Sequence, residues 1–166
     1  MSLIKSIGGK KVNFDFNKEF ISIFSDKIKI RDLKFINQTL IDLHPSDVAN
    51  LIENISSDTR AKLIEIEEFN IDPDIFIEIN ESIQTEVLHL LSTDSIAKIL
   101  KRLESDNAIS ILENLETKKK KDVLDKLPPK DRFLLEEGLS YPEDSAARIM
   151  QREFTAVPSD WSVGQT

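Results

Sequence analysis

Pro45-Ser46-Asp47-Val48-Ala49-Asn50-Leu51-Ile52-Glu53-Asn54-Ile55-Ser56 and the next twelve residues, Ser57-Asp58-Thr59-Arg60-Ala61-Lys62-Leu63-Ile64-Glu65-Ile66-Glu67-Glu68, decide the fold. An apolar pair, with a third position four residues after the first, returns every twelve residues through eight consecutive units. The leading position is Leu51, Leu63, Ile75, Val87, Ile99, Ile111, Val123 and Leu135. Its neighbour is Ile52, Ile64, Phe76, Leu88, Leu100, Leu112, Leu124 and then Glu136. The third column is Ile55, Glu67, Ile79, Leu91, Leu103, Leu115, Leu127 and Leu139, so 22 of the 24 places are apolar. At 40% hydrophobic overall, chance would fill about ten.

The spacing i, i+1, i+4 puts three side chains on one helical face. A single continuous helix is excluded, because twelve residues at about 100° each rotate the stripe by roughly 120° per unit. The chain therefore turns between units. Ser57, Thr93, Ser105 and Thr117 recur in phase as the expected N-caps. Pro45 and Pro129 share that phase, and proline suits the first helical position. Helices of roughly nine residues are unstable alone in water, so each must bury its stripe on its neighbours. The expected fold is all-α, a right-handed superhelix or solenoid of short helices.

Length allows one medium domain with a core and a fragment of another: 166 residues. No apolar run approaches the ~18 residues of a membrane span, and no signal peptide precedes the first helix. With no cysteine, disulfides, thiolate zinc sites and cysteine nucleophiles are excluded. The chain is expected to be soluble and cytoplasmic. Its net charge of -8 is uneven: +3 over residues 1–43, -9 over 44–139 and -2 over 140–166. An acidic repeat region repels nucleic acid and attracts cations or a basic partner.

Taken in order, residues 1–13, broken by Gly8-Gly9-Lys10-Lys11, read as a flexible lead. Residues 14–139 form the superhelical domain. Phe14 to Phe24 and Ile28 to Leu43 are two helices that cap its first unit, and their aromatic cluster is core. His44 precedes a proline and is read as structural, having no second histidine at ligand spacing. His89 falls in a charged, solvent-facing column. Ile75-Phe76-Ile77-Glu78-Ile79 also fits a short strand, but the repeat phase decides for helix. Lys118 to Lys121 read as a solvated face, with a docking patch for an acidic neighbour as the alternative. Gly138 suits a helix C-terminus. Residues 140–150 are a linker helix, and Phe154 to Val157 a short strand at the start of a second domain over 151–166.

The sequence offers little to catalysis: it has no Ser/His/Asp signature, no glycine-rich phosphate loop and no HExxH. An enzyme is not expected. Carboxylates remain, and Asp47, Asp58, Asp74, Asp94 and Asp106 all sit in a first helical turn. There they complement the helix dipole, and stacked on successive helices they form an acidic strip for a hard cation.

Leu43-His44-Pro45-Ser46-Asp47-Val48-Ala49-Asn50-Leu51-Ile52, the twelve-residue units, and Ser140-Tyr141-Pro142-Glu143-Asp144-Ser145-Ala146-Ala147-Arg148-Ile149-Met150 followed by Glu153-Phe154-Thr155-Ala156-Val157 resemble the cytosolic amino-terminal region of MgtE-type magnesium transporters. The resemblance runs from about Leu43 to Thr166. It implies a superhelical N domain followed by CBS modules, with residues 151–166 as the truncated start of the first, and a transmembrane pore beyond. It implies a regulatory domain at the cytoplasmic face of the membrane, in a full-length homodimer. The resemblance further implies that Mg2+ bridges the acidic faces of the N domain and the CBS modules and closes the gate. By repeat register the family's acidic positions fall on Asp74 and Asp106. Ser110 stands one turn beyond Asp106, where some members carry a second carboxylate. At most weak, millimolar Mg2+ binding, or none, is expected of this chain by itself. The competing expectation is a metal-free interaction scaffold, since flagellar motor switch proteins of the FliG type carry a similar superhelical domain.

Overall fold

A computed structural model of the chain describes residues 16–41, 43–67 and 71–152. The described residues are all-helical, with no strand among them. The first helix, α1 (Lys18–Lys29), starts where Asn17 Oδ1 accepts from the Phe20 amide at 2.8 Å. It stops at Arg31, whose φ of 54° turns the chain into α2 (Leu33–Leu40). Phe16, Phe20 and Phe24 stack along α1 with centroids 5.1 and 6.1 Å apart, and Phe35 of α2 meets Phe24 at 6.5 Å. This aromatic seam is packed core, as expected; Phe14 lies outside the described residues.

Each repeat unit contributes one helix. These are α3 (Pro45–Asn54), α4 (Ser57–Glu67), α5 (Ile75–Glu78), α6 (Glu81–Leu90), α7 (Thr93–Leu100), α8 (Ser105–Glu113), α9 (Thr117–Leu124) and α10 (Pro129–Ser140). All eight leading positions are buried, and so are seven of their neighbours, Glu136 being exposed. In the third column Ile55, Ile79, Leu91, Leu115 and Leu127 are buried, while Leu103 and Leu139 are half-buried. Segment 75–78 is a helix, as the repeat phase requires, and not a strand. Packing pairs helices two apart: α3 on α5, α4 on α6, α7 on α9 and α8 on α10. The first helix closes the early end against α2 and α4.

The expected N-caps are displaced by one residue. Ser57, Thr93, Ser105 and Thr117 are the first helical residues, and the cap is the residue before each. Ser56 Oγ accepts from the Thr59 amide at 3.3 Å, and Ser92 Oγ from the Ser95 amide at 3.2 Å. Glu104 and Glu116 hold the cap position without a side-chain bond. Capping needs extended backbone, and Ser92 (ψ 157°), Asn80 (ψ 150°) and His44 (ψ 149°) all have it. Pro45 and Pro129 do occupy the first turn.

Two further expectations fail. Gly138 does not end a helix, since α10 continues to Ser140. Glycine is there because a Cβ would lie 2.2 Å from Ile109 Cδ1 of α8. Residues 141–150 are not a linker helix but a run of turns. Tyr141 is extended at ψ 151°, and the Ser145 and Arg148 amides each bond three residues back, to Pro142 O and Ser145 O. The side chain of Arg148 takes the carbonyls of Gly138 and Tyr141, which a continuing helix would have used for its own ladder. The lead over 1–13 and the second-domain start over 153–166 lie outside the described residues. Among the described residues no helix is long and apolar enough to cross a membrane.

Candidate functional site

Asp74 is set by the turn Asp72-Pro73-Asp74, in which its amide donates to Asp72 Oδ1 at 3.2 Å. Its own carboxylate is exposed and caps nothing. Asp106 is the second residue of α8 and half-buried, and its Oδ1 accepts from the Asn107 amide at 2.8 Å. Ser110 is exposed further along α8.

The fold brings Asp74 to the start of α8. A recess of about 310 Å³ is lined by Asp74, Ile77 and Glu78 on one side, by Arg102, Leu103, Glu104 and Asn107 on another, and by His44 and Pro45. Asp106 is not in its wall but adjoins Asn107, which is. Three carboxylates against one guanidinium leave the recess net negative. His44 is occupied elsewhere: its Nδ1 accepts from the Ser46 amide at 3.3 Å and lies 2.9 Å from Ser46 Oγ, capping α3. The structural reading of His44 therefore holds.

The donors suit a hard cation in kind but not in number. Among the described residues no three His, Asp or Glu side chains converge as a group able to hold a metal ion. The recess therefore does not make a complete cation cage from the described residues of this chain.

Glu78, Glu104 and Arg102 were not legible as site residues. Glu78 and Arg102 share one place in the twelve-residue unit, and Glu104 shares the cap position with His44. That periodicity is the signal that groups them, but only the turn between units decides that they face one recess.

Lys119, within the lysine run, is structural. Its ammonium donates to the carbonyls of Leu88 and Leu91, both at 2.8 Å, and of His89 at 3.3 Å, closing the C-terminus of α6. Burial pulls it below the ordinary lysine range, with nearby Glu116 opposing. Lys118 and Lys121 are exposed, as a solvated face requires. A larger recess of about 450 Å³ near α2 to α5 is walled mostly by Leu40, Ile41, Leu43, Val48, Ile52, Leu63 and Ile75 and brings no charged cluster together.

The fold defines a class, that of an all-helical module of short repeated helices, here with a net negative recess between units. The sequence model of the MgtE intracellular N domain matches residues 43–144, and the chain belongs to that family. Among solved structures it is similar to the crystal structure of the soluble part of a magnesium transporter, with a TM-score of 0.64 and 19% identity over 82% of this chain. At that identity the likeness shows the fold alone. The chain spans about half of that protein, 54% of its length. No curated protein matches it.

Proposed function

We propose that this domain is the magnesium-responsive regulatory part of an MgtE-type transporter at the cytoplasmic face of the membrane, and that it gates by cation-bridged docking of its acidic face to CBS modules of the same or a partner chain in a homodimer. The observation that carries this reading is the recess in which Asp74 meets the start of α8 across a net negative gap. Facing carboxylates repel one another in a partner interface until a divalent ion screens them. Mg2+ is suited to the bridge because it joins carboxylates through retained waters. On this reading the residues of this chain supply one face only. Asp74 and Asp106 meet the ion directly or through water, Glu78 and Glu104 deepen the negative potential, and the CBS face completes the shell. The matched family supplies the link to magnesium transport.

The test is a magnesium titration of the full-length transporter, followed by protease protection of the junction between this domain and its CBS modules. Asp74→Ala with Asp106→Ala should move the protection midpoint to higher magnesium. An unchanged midpoint would overturn the assignment and leave a metal-free docking scaffold of the FliG type as the better reading.

A further inference from the structure

Arg148 is a buried charge that belongs to no helix, only 7% exposed, in the turns that follow α10. Its guanidinium makes three bonds: Nε donates to Glu113 Oε1 at 2.6 Å, and Nη1 to Gly138 O at 3.0 Å and Tyr141 O at 3.2 Å. Four residues on, the main-chain amide of Arg152 donates to Ser105 Oγ at 3.0 Å. The Arg152 side chain donates to Ala147 O at 2.7 Å and Met150 O at 3.2 Å, and lies 5.5 Å from the Tyr141 ring centroid. Ser105 is the first residue of α8 and Glu113 the last. Two bonds from the segment after α10 thus catch the two ends of one helix.

Apolar burial does not hold this segment, since Ile149 is 74% and Met150 52% exposed. Nor does a helical ladder, since it is all turns. What remains is the Arg148 guanidinium on Glu113 and the Arg152 main-chain amide on Ser105, and a buried guanidinium is tolerated only when its donors are met. A connector of no mechanical consequence could have stayed in solvent.

We propose that Arg148 is a positioning residue whose side chain, together with the Arg152 main-chain amide, forms a clasp that binds the exit segment 141–152 to both ends of α8 so that helix and segment move as one body. Asp106 follows Ser105 directly, so a cation drawn to the start of α8 acts on the residue that holds Arg152. That consequence rests on the magnesium reading above; the clasp itself does not. Lysine cannot replace Arg148, because a single ammonium lacks the planar fork that reaches Glu113 and two carbonyls together.

Amide hydrogen exchange on the chain without magnesium tests the clasp. In Arg148→Met and Arg148→Lys the amides of residues 145, 148 and 152 should exchange at least about ten-fold faster, with α3 to α7 unchanged. In Ser105→Ala only the Arg152 amide should accelerate. Wild-type exchange at Ser145 and Arg152 in Arg148→Met overturns the clasp. If that variant loses its helical circular dichroism, a slow Arg152 amide in Ser105→Ala overturns it instead. A magnesium titration then reads the coupling. Magnesium should perturb Asn107 and slow Arg152 in the wild type, and in Ser105→Ala should still perturb Asn107 without slowing Arg152. A response at Asn107 with none at Arg152 in the wild type overturns the coupling. Silence at both sinks the magnesium reading and the coupling that rests on it, and the clasp is then decided by the magnesium-free exchange.

Discussion

Arg60 and Gln84 stand two repeat units apart and make the same bond: each reaches back eight residues to a carbonyl in the preceding helix, Arg60 Nε to Ile52 O at 3.0 Å and Gln84 Nε2 to Phe76 O at 2.7 Å. Those carbonyls belong to the last turns of α3 and α5, where no intrahelical partner exists. Arg60 also donates to Ile55 O at 3.0 Å and pairs with Glu86 of α6. Short helices leave a large share of their backbone groups unpaired at the ends, so a stack of them depends on such bonds between units.

Arg60→Met keeps the apolar stem and strips the donors from two buried carbonyls. The expected loss is about 2–3 kcal/mol, while Gln84→Met, which frees one carbonyl, loses about 1–2 kcal/mol. Urea unfolding followed by circular dichroism measures both. A loss below about 0.5 kcal/mol for Arg60→Met would mean that water reaches the carbonyls and that the capping account is wrong.

Gly138 to alanine should destabilise, against helix propensity. In an exposed helix that change gains up to about 1 kcal/mol. Here the new methyl would meet Ile109 Cδ1 at 2.2 Å and Cγ1 at 3.2 Å, and Ile109 is only 2% exposed, so it has little room to turn. Overpacking costs about 1–3 kcal/mol, which outweighs the propensity gain and leaves a net loss of about 1 kcal/mol. Ile109→Val removes Cδ1, so the double variant should be more stable than the sum of the two single changes. A Gly138→Ala protein more stable than the wild type would remove the packing explanation.

The repeat register was legible because burial follows it directly: Leu51, Leu63, Ile75 and their equivalents could only share a face by turning every twelve residues. What the period could not locate was the helix start to within one residue. Ser56 and Ser57 both carry a hydroxyl, and only the earlier one stands ahead of α4, where its Oγ accepts from the Thr59 amide. The linker after Ser140 was misread because its helical composition competes with Arg148, whose bonds to Gly138 and Tyr141 are tertiary and leave no periodic trace. Asp74 came by register from a family resemblance. Glu78 lies only four residues on in the same unit, but Glu104, 30 residues away, needed the fold, since groups from distant units meet only once the chain has turned.

Acid should loosen the corner between α1 and α2. Asp32 caps α2 through the Phe35 amide at 3.1 Å and pairs with Lys27 at 2.8 Å. The hydrogen bond from Lys27, followed by that from Phe35, holds its carboxyl below the usual value. A depressed carboxyl binds its proton more weakly folded than unfolded, so its contribution is complete above the unfolded pKa and is lost as pH falls through the folded one. The Phe35 amide shift should therefore move with Asp32 at a pH below the ordinary carboxylate range. Asp32→Asn, which retains the cap acceptor, should abolish that titration and leave α2 formed. A Phe35 midpoint at or above the ordinary aspartate value would contradict the account.

Magnesium binding by this chain alone should be weak and limited by Arg102. The recess holds Asp74, Glu78 and Glu104 but no converging set of three ligands, so an ion there keeps most of its water and gains mainly from the local potential. Amide shifts of Asp74, Asn107 and their neighbours should follow magnesium in the millimolar range and should not follow sodium at equal ionic strength. Arg102 is the guanidinium in the wall, a fixed cation that opposes a mobile one. At a near-surface dielectric its removal is worth under about 1 kcal/mol, so Arg102→Gln should tighten binding by about two- to five-fold. Asp74→Asn should weaken it by a similar factor. Micromolar binding by the wild-type chain would mean that the shell is complete without a partner, and a bridging role for the ion would then lose its basis. Equal affinity in Arg102→Gln would place the ion outside this recess.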